Sequence, residues 1–205
     1  SSFEQGTTTV TYTVTDIHGN QTTCSFNVTV NVIPLDATVT AELKACGYNV
    51  SCNGGSDGSA TVAVSGGCLP YSYNWSSGHA TATAASLAQG SYSVTVTDAK
   101  GMQVIKYVTL SEPAALSASL SSPLYNGYNI SCNGGSNGTI DLSVSGGSDC
   151  NGYTFAWSNS SASQNQSGLT AGNYSVTITD GNGCTTVESI TLSEPPVLVA
   201  DAGAN

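Results

Sequence analysis

The chain has 205 residues with three lysines, no arginine and thirteen acids, giving a net charge of -10. Phosphate binding needs clustered cations, so this balance disfavours nucleic acid and anionic membrane surfaces as partners. No run of about eighteen apolar residues marks a membrane span. Charged residues make up only 8 % of the chain, so solubility must come from Ser, Thr, Asn and Gly, a balance that suits an extracellular β-protein with hydroxyl-rich outer faces.

From Thr7 to Asp16, Val10, Tyr12 and Val14 alternate with threonines; after the turn IHGN, Cys24, Phe26, Val28 and Val30 alternate again. That pattern predicts a β-hairpin too small to stand alone, with its missing strands expected upstream of Ser1. No basic, apolar-cored leader opens the chain, so it reads as a piece of something longer. The passage GTTTVTYTVTDIHGNQTTCSFNVTV resembles the closing strands of a hyalin-repeat (HYR) domain, an immunoglobulin-like extracellular module. The resemblance implies that Cys24 pairs with a cysteine near that domain's start, which this chain lacks.

The remainder is a tandem repeat. GYNVSCNGGSDGSATVAVSGG at Gly47 to Gly67 returns as GYNISCNGGSNGTIDLSVSGG at Gly127 to Gly147. Tyr71, Tyr73 and Trp75 then recur as Tyr153, Phe155 and Trp157, GSYSVTVTD as GNYSVTITD, and VTLSEP as ITLSEP. The offset grows from 80 to 82 after the Gly-Gly turn, where the second copy carries two extra residues in SDCNG. A period near 80 exceeds the roughly 20 to 50 residues of a solenoid repeat, so each copy is expected to be a small domain with its own core. Pro34, Pro113 and Pro195 mark boundaries, because proline fixes φ and removes a backbone donor. The expected division is 1–33 for the truncated HYR-like module, 34–113 for the first repeat, 114–195 for the second and 196–205 for the start of a further module.

Period-two patterning predicts six strands per copy. In the second these run roughly from Tyr128 to Cys132, Thr139 to Ser145, Tyr153 to Ser158, Ser163 to Leu169, Tyr174 to Thr179 and Thr185 to Leu192. Ala60, Val62, Val64, Tyr92, Val94, Val96, Val108 and Leu110 are expected inside the first copy. Ile140, Leu142, Val144, Tyr174, Val176, Ile178, Ile190 and Leu192 are expected inside the second. Ser and Thr fill the opposite face. The expected fold is all-β, a row of immunoglobulin-like antiparallel β-sandwich modules. Modules this small bury a modest fraction of their surface and gain from disulfides.

Cys-x-Gly-Gly-Ser-x-Gly (Cys52 to Gly58, Cys132 to Gly138), the Gly-Gly turn, aromatic-x-aromatic-x-Trp, Gly-x-Tyr-x-Val-Thr, Asp-x-x-Gly and the closing Glu-Pro together resemble the SprB repeat. That module occurs in tandem in very large cell-surface proteins of the Bacteroidetes. The resemblance implies export by the type IX secretion system, gliding motility and attachment to external surfaces or glycans as mobile filaments.

Seven cysteines are the richest chemical signal, and their pairing cannot be fixed from spacing alone. If strands simply alternate up and down, Cys132 and Cys184 share one end of the second copy, and the resemblance implies the same pair. Met102 stands in the first copy where Cys184 stands in the second, leaving Cys46 with Cys68 as a replacement bridge. The alternative pairs Cys52 with Cys68 and Cys132 with Cys150. No Cys-x-x-Cys occurs and His18 and His79 sit in unrelated turns, against a metal site.

The aromatic rows carrying Trp75 and Trp157 are expected in the core, where immunoglobulin-like domains place a Trp; an exposed row would instead suit a sugar ring. Asp98 and Asp180 precede x-x-Gly and are expected to cap their own turns. The rival is a calcium site at the same end as the SDG loop, using Asp57 and Asp98, with Asp180 the candidate of the second copy; it is thin in charge because Asn137 replaces Asp57 there. No nucleophile with a base recurs between copies, so catalysis is not expected. The chain thus reads as a stalk segment of a secreted cell-surface adhesin whose partners are its neighbouring modules, the secretion and motility machinery, and external surfaces. The competing reading is a set of carbohydrate-binding modules.

Overall fold

The computed structural model describes residues 6–31 and 33–200. The alternating threonines and apolar residues of the opening passage form β1 (Gly6–Thr15) and β2 (Gln21–Val30), paired antiparallel with Val10 opposite Phe26 and Tyr12 opposite Cys24. Asp16 closes the turn by accepting the backbone N–H groups of His18 and Asn20. Residues 1–5, at the strand-like opening, and 201–205, in the closing segment, lie outside the described residues.

The first copy contributes β3 (Asp36–Ala41), β4 (Gly58–Ser65), β5 (Ser72–Trp75), β6 (Thr83–Leu87), β7 (Gly90–Thr97) and β8 (Gln103–Leu110). The second contributes β9 (Ser117–Ser121), β10 (Gly138–Ser145), β11 (Thr154–Trp157), β12 (Gln166–Leu169), β13 (Gly172–Thr179) and β14 (Thr185–Leu192). Strand order repeats: β3-β4-β6 and β5-β7-β8, then β9-β10-β12 and β11-β13-β14. Burial repeats as well, residue for residue, between β4 and β10, β7 and β13, and β8 and β14. The fold is all-β and antiparallel, as the patterning requires.

The chain gathers into two compact units. One comprises Ser1–Val39, Val62–Ala82 and Ser93–Tyr107, and holds the opening hairpin with the Gly66-Gly67 turn, Trp75 and Asp98. The other comprises Thr40–Thr61, Thr83–Tyr92 and Val108–Asn205, and holds the whole second copy with the Asn49–Gly58 segment of the first.

The second copy is a sandwich of two three-stranded sheets around Ile130, Ile140, Leu142, Trp157, Leu169, Val176, Ile178 and Leu192. All eight residues expected inside it lie in this cluster or pack against it. Trp157 comes from one sheet and donates its indole N–H to the Ser163 carbonyl at 2.8 Å, so its polar edge is satisfied while its ring fills the interior. Trp75 makes the same bond to the Thr81 carbonyl at 2.9 Å.

Two features of this sandwich depart from the expected strand pattern, although the count of six holds. The first strand is Ser117–Ser121, with Ala118 and Leu120 packed on the core. Tyr128 to Cys132 is a corner, held because the N–H groups of Asn129 and Ile130 both donate to the Ser193 carbonyl while Asn129 Oδ1 accepts the Ser193 N–H. The second departure is directional. β10 and β13 both run from the exit end, where Gly138 faces Ile130 and Leu192, towards the entry end, where Ser148 meets Asp180. β12 is antiparallel to β10 and β11 is antiparallel to β13. The short strands β11 and β12 therefore point the same way in opposite sheets, and together they replace one full crossing.

The entry end is closed by a tight approach. Gly147 N–H donates to the Ala114 carbonyl, and Gly146 lies so near that a Cβ there would stand 2.0 Å from the Ala115 carbonyl oxygen. Gly146 also has φ +73°, which disfavours any side chain. Leu116 packs beside Gly147 as the chain enters β9.

Replacing Trp157 with Ala is expected to lower unfolding free energy by about 3–5 kcal/mol, read as a drop in the denaturant midpoint. A loss below about 1 kcal/mol would show that the ring is not a core residue.

Candidate functional site

The chemistry of this chain concentrates where its two copies meet, and the site begins with one carboxylate. Asp180, 6 % exposed, ends β13. Its Oδ2 accepts the Ser148 N–H at 2.8 Å, while Oδ1 accepts Asn182 N–H at 3.0 Å and Cys184 N–H at 2.8 Å. The Gly181 N–H returns to the Ser148 carbonyl at 2.7 Å. Three donors on one carboxylate fix the turn that carries Asn182 and Cys184.

Asp98 builds the same clamp in the first copy, accepting Cys68, Lys100 and Met102 N–H groups. Burial opposes its ionisation, but the backbone donors at Cys68, Met102 and Lys100 outweigh it and hold the carboxyl below its ordinary range.

Opposite the Asp180 turn lies the Ser51–Asn53 bend of the first copy. Asp57 shapes it, accepting the Ser51 N–H at 2.9 Å and the Ser51 hydroxyl at 2.5 Å; these bonds from Ser51 keep the Asp57 carboxyl low. Glu112 anchors the adjacent strand exit, taking Asn53 Nδ2–H at 2.9 Å and Gly54 N–H at 2.8 Å. Asn182 Nδ2 then donates both to the Ser51 carbonyl at 3.0 Å and to the Ser148 hydroxyl at 2.9 Å. It joins the two copies by the same amide.

Two disulfides complete the junction. Cys52 is bonded to Cys184, with Cα atoms 5.8 Å apart, and Cys46 to Cys150, with Cα atoms 5.6 Å apart. Both separations fall within ordinary bridge geometry. Cys24, Cys68 and Cys132 are free. The expected pairs Cys132 with Cys184 and Cys46 with Cys68 are thus replaced by bridges between copies. Because β11 and β12 run the same way, Cys184 sits at the entry end with Cys150, and Cys132 at the exit end near Ser193. Because the first strand of each copy precedes the corner, Cys46 follows β3 instead of leading it. The alternative pairs, Cys52 with Cys68 and Cys132 with Cys150, fail too: Cys68 donates to Asp98 as Ser148 does to Asp180, so Ser148 is its counterpart and Cys150 belongs to the insertion.

The remaining candidates are structural in place. Trp75 and Trp157 are 2 % and 4 % exposed and offer no ring face to a sugar. Asp57, Asp98 and Asp180 spend their oxygens on the turns just described. In the second copy, Asn137 caps the corner at Ser131 while Asp180 serves the entry end, so the two positions do not converge. Among the described residues no group of three or more His, Cys, Asp or Glu could hold a metal.

Both copies match the SprB repeat. The matched residues are 48–80 and 127–162, and residues 1–30 match the HYR domain. No functionally curated protein aligns with the chain. Similar solved structures include a Ca2+-stabilised adhesin with which an Antarctic bacterium reaches out and binds ice (16 % identity, TM-score 0.40). Another is a tetra-tandem repeat from the extending region of a large adhesion protein (16 % identity, TM-score 0.26). Each alignment covers 92 % of this chain and 56 % of the other.

Non-reducing peptide mapping is expected to recover Cys46 linked to Cys150 and Cys52 linked to Cys184, with Cys24, Cys68 and Cys132 alkylated; a Cys132–Cys184 peptide would contradict the junction. The clamp has its own signature. Because Asp98 is more acidic folded than its ordinary value of 3.8, its contribution is complete above about pH 4 and is lost as pH falls through the lower folded value. The melting temperature of the wild type should therefore fall on acidification more steeply than that of Asp98→Asn, which starts lower at neutral pH. Parallel curves would remove the clamp's role.

Proposed function

We propose that this chain is a load-bearing stalk segment of a large secreted surface adhesin, non-enzymatic, extracellular, and built from SprB-repeat modules at 34–113 and 114–195 behind an HYR-type module. The observation that carries this reading is the pair of disulfides joining one repeat to the next. Small hydroxyl-rich sandwiches alone resist pulling only by their strand pairing and modest cores; a covalent bridge between neighbours takes the load off both. Disulfides also belong to oxidising compartments outside the cytosol. Similarity to SprB repeats favours attachment and gliding over surfaces, with export by the type IX system, as the setting in which such a stalk works.

The test is mechanical. Tension applied between the chain ends passes from Cys52 directly to Cys184, so the 132-residue separation between them is shielded. Single-molecule stretching of the oxidised chain should release only the segments outside that span. Reduction should add about 45 nm of extensible contour, at roughly 3.4 Å per residue. Equal extension before and after reduction would sink the proposal.

A further inference from the structure

The exit end of the second copy repeats the Cys52 side of the surface on which the first copy receives the second. Cys132 stands where Cys52 stands and is exposed and free. Glu194 takes Asn133 Nδ2–H at 3.0 Å and Gly134 N–H at 2.8 Å, as Glu112 takes Asn53 and Gly54. Asn133 also donates to the Pro195 carbonyl, as Asn53 does to that of Pro113. A shallow open groove runs past Ser131, Cys132, Pro195 and Leu198. Its counterpart past Cys52 and Leu116 is bordered by Gly183, Cys184 and Thr185 of the second copy.

Leu198 is the independent witness. Its equivalents Leu35 and Leu116 each lie against a Gly-Gly turn, at Gly67 and Gly147. Leu198 is 95 % exposed and borders the groove beside Cys132.

We propose that the exit end of the second copy is a socket for a further repeat of the second copy's own type, whose Asp-Gly-Asn-Gly-Cys turn docks on Ser131 and whose cysteine forms a disulfide with Cys132. This rests on the stalk reading above. The docking turn supplies an amide for the Ser131 carbonyl, as Asn182 does for Ser51, and its Gly-Gly turn covers Leu198. The bond forms by exchange with a small disulfide donor such as oxidised glutathione. The Cys132 thiolate attacks the donor and expels one thiolate, and the incoming cysteine's thiolate then attacks the mixed disulfide and expels the second. Two protein thiols are oxidised, one donor disulfide is reduced to two thiols, and the two protons end on those thiols. No second bridge forms, because Asn126 occupies the position of Cys46.

The experiment compares the 205-residue chain with one in which residues 1–195 are followed by a duplicate of residues 114–205, both refolded with oxidised glutathione. In the shorter chain Cys132 should react with a maleimide. In the longer chain it should lose that reactivity and appear in a peptide linked to the duplicate's Cys184, and Cys184→Ser in the duplicate alone should restore it. The original Cys52–Cys184 peptide reports that the first junction has formed. If that peptide is present while Cys132 stays reactive, joins the duplicate's Cys150, or links two chains through Cys132, the socket is overturned and the stalk reading stands. If the Cys52–Cys184 peptide is itself missing, both readings fall.

Discussion

The junction depends on the buried carboxylate of Asp180. A buried polar group must find hydrogen-bond partners, and Asp180 finds them in the N–H groups of Ser148, Asn182 and Cys184. Those bonds tie the β10–β11 corner to the β13–β14 turn and leave Asn182 and Cys184 projecting in fixed directions. One side chain thereby sets the position of both the amide and the sulfur that reach the first copy. Asp98 makes the equivalent turn without a cysteine, since Met102 stands in its place. The clamp belongs to the repeat, and the bridge is what the second copy adds to it.

Core and periodicity were legible in the sequence because both are local. Ile140, Leu142, Val176 and Ile178 alternate with Thr, Asp or Ser and are buried as alternation requires. The misplaced first strand has a physical cause: Ser117 to Ser121 carries only Ala118 and Leu120 on its inner face, a weak signal, whereas Tyr128 to Cys132 alternates well but is captured by Ser193. The cysteine pairing was lost at a different level. Strand direction depends on β11 and β12 crossing between sheets at mid-height, and nothing in either four-residue segment announces it. A better signal was present in the insertion: Ser148 keeps the alignment of Cys68, which marks Cys150 as an added residue with an added purpose.

Composition explains why such a chain needs covalent joints. With charged residues at 8 %, neighbouring copies have little scope for ion pairing, and solvent-screened pairs such as Lys44 with Glu42 contribute little. The outer faces are hydroxyls that water satisfies equally well. What remains for holding one small sandwich to the next is a few backbone-directed amides, typified by Asn182, and sulfur.

The order of the bonded cysteines along the chain has one more effect. Cys46 pairs beyond Cys52, and Cys150 before Cys184, so the two covalent loops interleave. A protease that cleaves one peptide bond anywhere from Cys46 to Cys184 leaves the fragments joined through at least one bridge. Exposed turns such as Ser160 or Gly78, the usual places for nicking, fall inside that span. With the loops interleaved in this way, a single cut becomes a scar instead of an amputation.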